Sequence, residues 1–349
     1  MGALYKITMS EPMTIQHPRE WMAIRPEGLY CEAGDFYVDP VRPVARAVIT
    51  HGHADHARSG HGTVYATPAT LEIMWVRYGA ECCENRVPLE YGEKHQIGDV
   101  TLWFAPAGHI LGSAQAVLEY GQARIVISGD YKRTPDPTCE PFRPVPCDVF
   151  VTEATFGLPV FTHPPIEHEL KKLLDSLALF PDRCHLVGCY ALGKCQRLIM
   201  GLRQLGYDKP IYLHGALMKL CTLYAQLGVE LGELIPVSEV DKKALSGQIV
   251  LAPPSALADR WSRNLPNVMT SVASGWMNIR ARAKQKLVEL PLIISDHCDW
   301  KELLQTVEDV GAPEIWVTHG REEALVYELR RLGYSAQALT LLGYEEEED

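Results

Sequence analysis

No apolar run in this sequence approaches the ~20 residues that cross a bilayer, so no membrane span is expected. The first residues lack a basic stretch followed by an apolar one, and Lys6 stands where a myristoylation signal needs Ser or Thr. Neither a secretory leader nor that lipid anchor is expected. The ten cysteines include no C-x-x-C and, apart from the adjacent Cys82-Cys83, are scattered. That excludes a zinc ribbon and argues against a disulfide framework, so reduced thiols in a cytoplasmic protein are expected. Net positive charge is lacking too: 33 basic residues against 44 acidic ones leave −11. A broadly basic nucleic-acid-binding surface is therefore excluded. A local positive groove is not, because acidic metal ligands are neutralised by their cations and Glu345 to Asp349 form a solvated acidic tail. Internal repeats and low-complexity linkers are also missing, which excludes solenoids and tethered modules.

What the chain does have is Thr50-His51-Gly52-His53-Ala54-Asp55-His56, directly after the strand-like run Val44 to Ile49. Three imidazoles and a carboxylate on one tight loop suit borderline or hard divalent cations such as Zn²⁺ or Mn²⁺. The other reading is a polar, solvated turn. With His51 and His53 on one side and Asp55 and His56 on the other, the loop can feed two neighbouring metals.

Residues 20 to 155 read as short strands, over 36–38, 44–50, 101–104, 116–120, 124–128 and 149–152, with a helix over 70–78 and a hairpin turn at 120–122. From about 157 the texture becomes alternating helix and strand, which implies a parallel sheet covered by helices. Helices are expected over 167–179, 193–205 and 216–227, with strands at 185–187 and 211–213. A strand over 292–295, a helix, a strand over 314–318 and a helix over 322–332 complete the chain. The partition expected is a catalytic domain in two segments, 1–156 and 291–349, around an α/β insertion, 157–290. Three more candidate ligands sit where strands end: His109 after 102–104, Asp130 after 125–127, and His319 after the strand following Pro313. The set completes two sites, His51, His53, His109 and Asp130 for one metal and Asp55, His56, His319 and the shared Asp130 for the other. Two such cations acidify a water and clamp attacking and leaving oxygens.

These residues together resemble the metallo-β-lactamase superfamily, which implies an αββα sandwich. The insertion, with Val151-Thr152-Glu153-Ala154-Thr155-Phe156-Gly157, Ser295-Asp296-His297-Cys298-Asp299 and His319-Gly320, narrows the resemblance to the β-CASP nuclease branch, an inserted α/β domain on that sandwich. Further stretches look like the bacterial DNA-ligase-associated exonucleases: residues 28–36, 107–115, 129–133, 156–161, 190–194, 251–255 and 274–277. The matches run from about residue 20 to 335.

The resemblance implies a two-metal DNA exonuclease in DNA repair, functionally linked to a DNA ligase and to a helicase. It makes His297 the general acid and Glu153 the carboxylate that orients it; with Asp55, itself a ligand, they form the catalytic set. Asp39 resembles the family's first acidic motif and would steady a ligand histidine, or is a turn residue before Pro40. Gly193-Lys194 opens a helix and is either a phosphate site or an ordinary helix start. Lys132, Arg133 and Arg280 are candidate backbone contacts, and Trp276 is a stacking platform or simply core. Three competing functions remain: an RNA-processing nuclease, to which His319 points, a small-ester hydrolase, and a metal-free binding module.

Overall fold

A computed structural model of the protein describes residues 17–339. The features expected of the first residues and of the acidic tail lie outside it. The first of three sheets holds six strands in chain order: Met22–Arg25, Gly28–Cys31, Phe36–Val38, Arg46–Val48, His61–Ala66 and Cys83–Pro88. The second holds seven, in the order His95–Ile97, Val100–Pro106, Ala114–Tyr120, Ala123–Ile127, Val149–Ala154, Glu314–Gly320 and Ser335–Ala338. Its first four strands are antiparallel, and from Ala123–Ile127 onward the pairing is parallel. Val149–Ala154 and Glu314–Gly320 are therefore neighbours although most of the chain between them lies elsewhere.

The strand period of two explains how the sheets stack. In the second sheet Ile125, Ile127, Val149 and Val151 share one buried cluster with Leu29, Phe36, Val38 and Val48 of the first, so the two sheets face each other. The alternate residues Val126 and Phe150 point the other way, onto Leu303 and Val307 of the helix Trp300–Val310 and Leu325 and Leu329 of the helix Glu322–Arg331. The outer face of the first sheet packs on Leu71 and Met74 of the helix Pro68–Tyr78. Each fully buried side chain of this kind stabilises by about 1.5–3 kcal/mol relative to exposure.

The third sheet is wholly parallel and lies within Cys184 to Leu292, with strands Cys184–Gly188, Ile211–Leu213, Leu234–Pro236, Ile249–Ala252, Val268–Ala273 and Leu290–Leu292. The helices Ile166–Leu179, Lys194–Gln204 and Gly215–Gln226 bury Leu170, Leu173, Leu198, Leu202, Leu217 and Tyr224 in its core. Ile73 and Ile110 join the same cluster, which fixes this unit against the first sheet's helix and the loop that carries His109.

Two expectations need correction. No strand spans 292–295: Leu290–Leu292 is an edge strand of the third sheet, paired with Ser271–Ala273, and the chain is irregular from Ile293. An apolar run records burial, not which sheet it joins, and Ile294 is buried in the third sheet's own core. The strand expected over 44–50 stops at Val48, because Thr50 leaves the ladder to bond Asp39.

Phe104 is fully buried in the core between the two facing sheets. Phe104→Ala should cost about 3–5 kcal/mol, read as a lowered urea midpoint at unchanged slope. A loss below about 1 kcal/mol would mean the sheets do not hold each other through this cluster.

Candidate metal centre and cleft

The strand Arg46–Val48 delivers the chain to a compact turn in which the N–H groups of His56 and Ala57 both donate to the His53 carbonyl. Gly52 is required there, because a Cβ would lie 2.6 Å from the Ile73 side chain. Around the turn the ligand atoms of His51, His53, His109 and Asp130 lie within 4.8 Å of one another, as do those of Asp55, His56 and His319. Asp130 stands between the groups: its Oδ2 is 3.3 Å from His51 Nε2, 3.7 Å from His109 Nε2 and 3.4 Å from His56 Nε2. Asp130 Oδ1 is buried and accepts no hydrogen bond from the described residues. His319 enters from the strand Glu314–Gly320 at a left-handed φ of 57°, where the ladder with Val149–Ala154 slips.

Outer contacts settle which ring nitrogen faces inward. His109 Nδ1 donates to the Asp296 carbonyl at 3.0 Å, and His53 Nε2 donates to the Leu192 carbonyl at 3.3 Å. Carbonyls only accept, so each ring spends its proton outward and turns a lone pair inward. Those two lone pairs, His109 Nε2 and His53 Nδ1, are 3.0 Å apart. They repel unless a cation joins them. Burial holds His51 and His109 below the ordinary imidazole range and His53 at about 4, which keeps the rings neutral, the form that binds metal. The donor set fits divalent cations on this evidence.

Asp39 Oδ2 lies 2.8 Å from His56 Nδ1, while Thr50 donates to the same carboxylate through its N–H at 2.8 Å and its hydroxyl at 2.5 Å. Beside Asp130, His297 Nδ1 lies 2.9 Å and 3.2 Å from the two Glu153 oxygens, and the Tyr131 N–H donates to Glu153 at 2.8 Å. Burial alone would lower His297, but the carboxylates of Glu153 and Asp130 outweigh it and hold the ring at about 9. A cleft of about 260 Å³ opens over these groups, walled by Asp55, His297 and His319 together with Arg77, Phe156, Leu192 and Trp276.

The expected substrate contacts fare unevenly. Lys132 and Arg133 do not reach the cleft. Lys132 is buried 2.6 Å from Glu302, and Arg133 pairs with Asp309 at 2.5 Å, so both brace the helix Trp300–Val310. The helix start at Gly193 is no open phosphate cradle either. Gly193 N–H donates to Gln196, Lys194 N–H to the Leu192 carbonyl and Cys195 N–H to the Tyr190 carbonyl. Lys194 lines the cleft, but its ammonium is buried 3.0 Å from Asp296. Trp276 lines the cleft against Phe156, ring centroids 4.9 Å apart. Arg280 is exposed outside it; the guanidinium over the Trp276 ring, at 4.2 Å, is that of Arg282. Sequence reasoning missed Asp296, whose carbonyl orients His109 and whose carboxylate takes Lys194, although it directly precedes His297.

Asp39→Ala should weaken metal binding about 10–100-fold, measured as metal retained against a graded chelator; wild-type retention would make Asp39 a turn residue only. His297 sits at about 9 against an ordinary 6.5. In metal-stripped protein its pairing therefore stabilises fully below pH 6.5 and fades as pH rises through 9. The stability gap between wild type and His297→Gln should close over that window. Parallel curves would show that the native fold does not raise the His297 pKa.

No protein-family model matches the chain. It is similar to a protein named "Probable DNA ligase" from Opitutus terrae, 29% identical over 320 residues, which cover 89% of this chain but only 30% of that relative's length. A ribonuclease of Thermus thermophilus is 26% identical over 388 residues and 89% of each chain. Among solved structures, a protein of unknown function from Enterococcus faecalis V583 shares the fold, with a TM-score of 0.56 at 11% identity over 86% of this chain and 80% of that one. The H-x-H-x-D-H turn, the Glu153–His297 pair and the parallel α/β unit, taken with these relatives, make the chain a member of the β-CASP branch of the metallo-β-lactamase superfamily.

Proposed function

We propose that the protein is a two-metal phosphodiesterase acting as a DNA exonuclease in repair, built as an αββα sandwich that carries a β-CASP insertion. The observation that carries this reading is the pair of inward lone pairs of His53 and His109, 3.0 Å apart beside the shared Asp130 carboxylate. His51, His53, His109 and Asp130 would hold one divalent cation, and Asp55, His56, His319 and Asp130 the other. When bound, two such ions supply Lewis-acid stabilisation and a nucleophilic water at neutral pH.

The chain's own residues supply the rest. His297 lines the cleft with Nδ1 tied to Glu153, which leaves Nε2 to give its proton to the leaving oxygen. Glu153, fixed by the Tyr131 N–H, lies against Nδ1 and favours the protonated ring. Asp39 holds His56 in register. Trp276, backed by the buried Phe156 ring tilted 46° to it, gives a base an apolar surface to stack on. Similarity to a protein named as a DNA ligase favours DNA and a functional link to ligation.

An RNA-processing nuclease is the second reading. It is favoured by His319, which completes the group with Asp55 and His56, and by the similarity to a ribonuclease along nearly the whole chain. Among the described residues no helix is long and apolar enough to cross a membrane.

Matched end-labelled single-stranded DNA and RNA, incubated with Mn²⁺ or Zn²⁺, test the proposal, with His51→Ala as the control. Stepwise shortening of DNA by wild type alone is expected; preferential cleavage of RNA would install the second reading, and turnover of small esters alone would overturn both. His297→Ala should keep its metals and lose cleavage by about 10²–10⁴-fold. Loss of metal in that variant would make His297 a ligand instead.

A further inference from the structure

A polyanion entering this cleft meets Asp55, Asp130 and Asp296, and only two Lys or Arg side chains among its lining residues, Lys194 and Arg77. Lys194 is answered by Asp296 at 3.0 Å. Among the described residues Arg77 makes no ion pair. It projects from the last turn of the helix Pro68–Tyr78, and its Nη1 donates at 2.7 Å to the carbonyl of Gly52, in the peptide that leads into His53. One arm of the guanidinium is thereby tied to the turn that carries the metal-binding residues. Anchoring through Nη1 leaves the Nε–Nη2 edge, the fork that matches two phosphate oxygens. The tether also removes much of the rotamer freedom that an exposed arginine would lose on binding.

Building on the nuclease reading above, we propose that Arg77 forms a phosphate subsite that grips a backbone phosphodiester next to the scissile one. The ligand class is a nucleic-acid backbone, DNA and RNA alike, because the fork reads phosphate and not sugar or base. The subsite supplies what an acidic chain otherwise lacks: a fixed positive charge lining the cleft that no carboxylate among the described residues pairs with. It also places substrate recognition on the helix that packs against the insertion, through Ile73 of that helix and Leu217 and Leu220 of the helix Gly215–Gln226.

The test compares wild type, Arg77→Gln and Arg77→Lys on a labelled single-stranded oligonucleotide over a salt series, with metal content measured for each. Arg77→Gln should keep its metals, raise KM about tenfold, and flatten the dependence of log(1/KM) on log[salt] by about 0.7, the share of one phosphate contact on a single strand. Arg77→Lys, which keeps the charge but not the fork, should restore the salt slope and only part of KM. An unchanged slope in Arg77→Gln would overturn the proposal, and loss of metal in that variant would reduce Arg77 to a brace for the Gly52 turn. Wild type that binds metals but leaves the oligonucleotide intact would sink the nuclease reading itself, and the subsite with it. Wild-type cleavage with an unmoved Arg77→Gln sinks the subsite alone.

Discussion

Everything at the reacting end of this molecule depends on the enforced approach of two imidazole lone pairs. Neither His53 nor His109 can relieve the repulsion by turning its ring over, because each is committed to a carbonyl on the far side. Those carbonyls belong to Leu192, at the mouth of the helix Lys194–Gln204, and to Asp296, where the chain leaves the third sheet. Cations are needed at the centre, and the groups that create the need come from both halves of the molecule. Metal binding and the docking of the insertion are therefore one linked equilibrium: whatever stabilises one stabilises the other.

The docking has its own buried electrostatics. Lys194 and Arg197 on one helix face Asp296 at 3.0 and 3.9 Å, and Arg197 lies 3.5 Å from Asp136, which is held in turn by Thr138. All four charged side chains are almost inaccessible. Buried charges of this kind contribute little net stability as a set, yet removing one partner typically costs about 3–5 kcal/mol. Such a cluster fixes register more than it adds strength, and here the register it fixes is that of the Asp296 carbonyl against His109.

How much of this was legible in the sequence follows from range. The turn from His51 to His56 is local, so its ligand spacing was readable, and strand-end positions singled out His109, Asp130 and His319 as candidates that the fold brings to the same place. The amphipathic helices were readable because Leu170 and Leu173, or Leu198 and Leu202, repeat at helical spacing onto one face. What failed was whatever depends on a distant partner. Lys132 and Arg133 look like substrate contacts beside Asp130, but their carboxylates, Glu302 and Asp309, sit some 170 residues away. Arg77 carries no motif of its own, and only the fold shows that it meets Gly52. The run over 292–295 reads as a returning strand because burial leaves the same trace in whichever sheet a segment joins.

The pairing of Val149–Ala154 with Glu314–Gly320 has a consequence for the nascent chain. During synthesis the first strand emerges with a bare parallel edge, and its neighbour follows about 160 residues later. At ribosomal speed that is roughly ten to thirty seconds. An unpaired hydrophobic edge kept open that long is a template for the wrong strand, including one from another copy. Part of that interval is filled by the synthesis of six strands that pair only with one another, in a sheet able to close without the waiting edge. The third sheet thus holds much of the intervening sequence in its own pairings until the strand bearing His319 arrives to fill the gap.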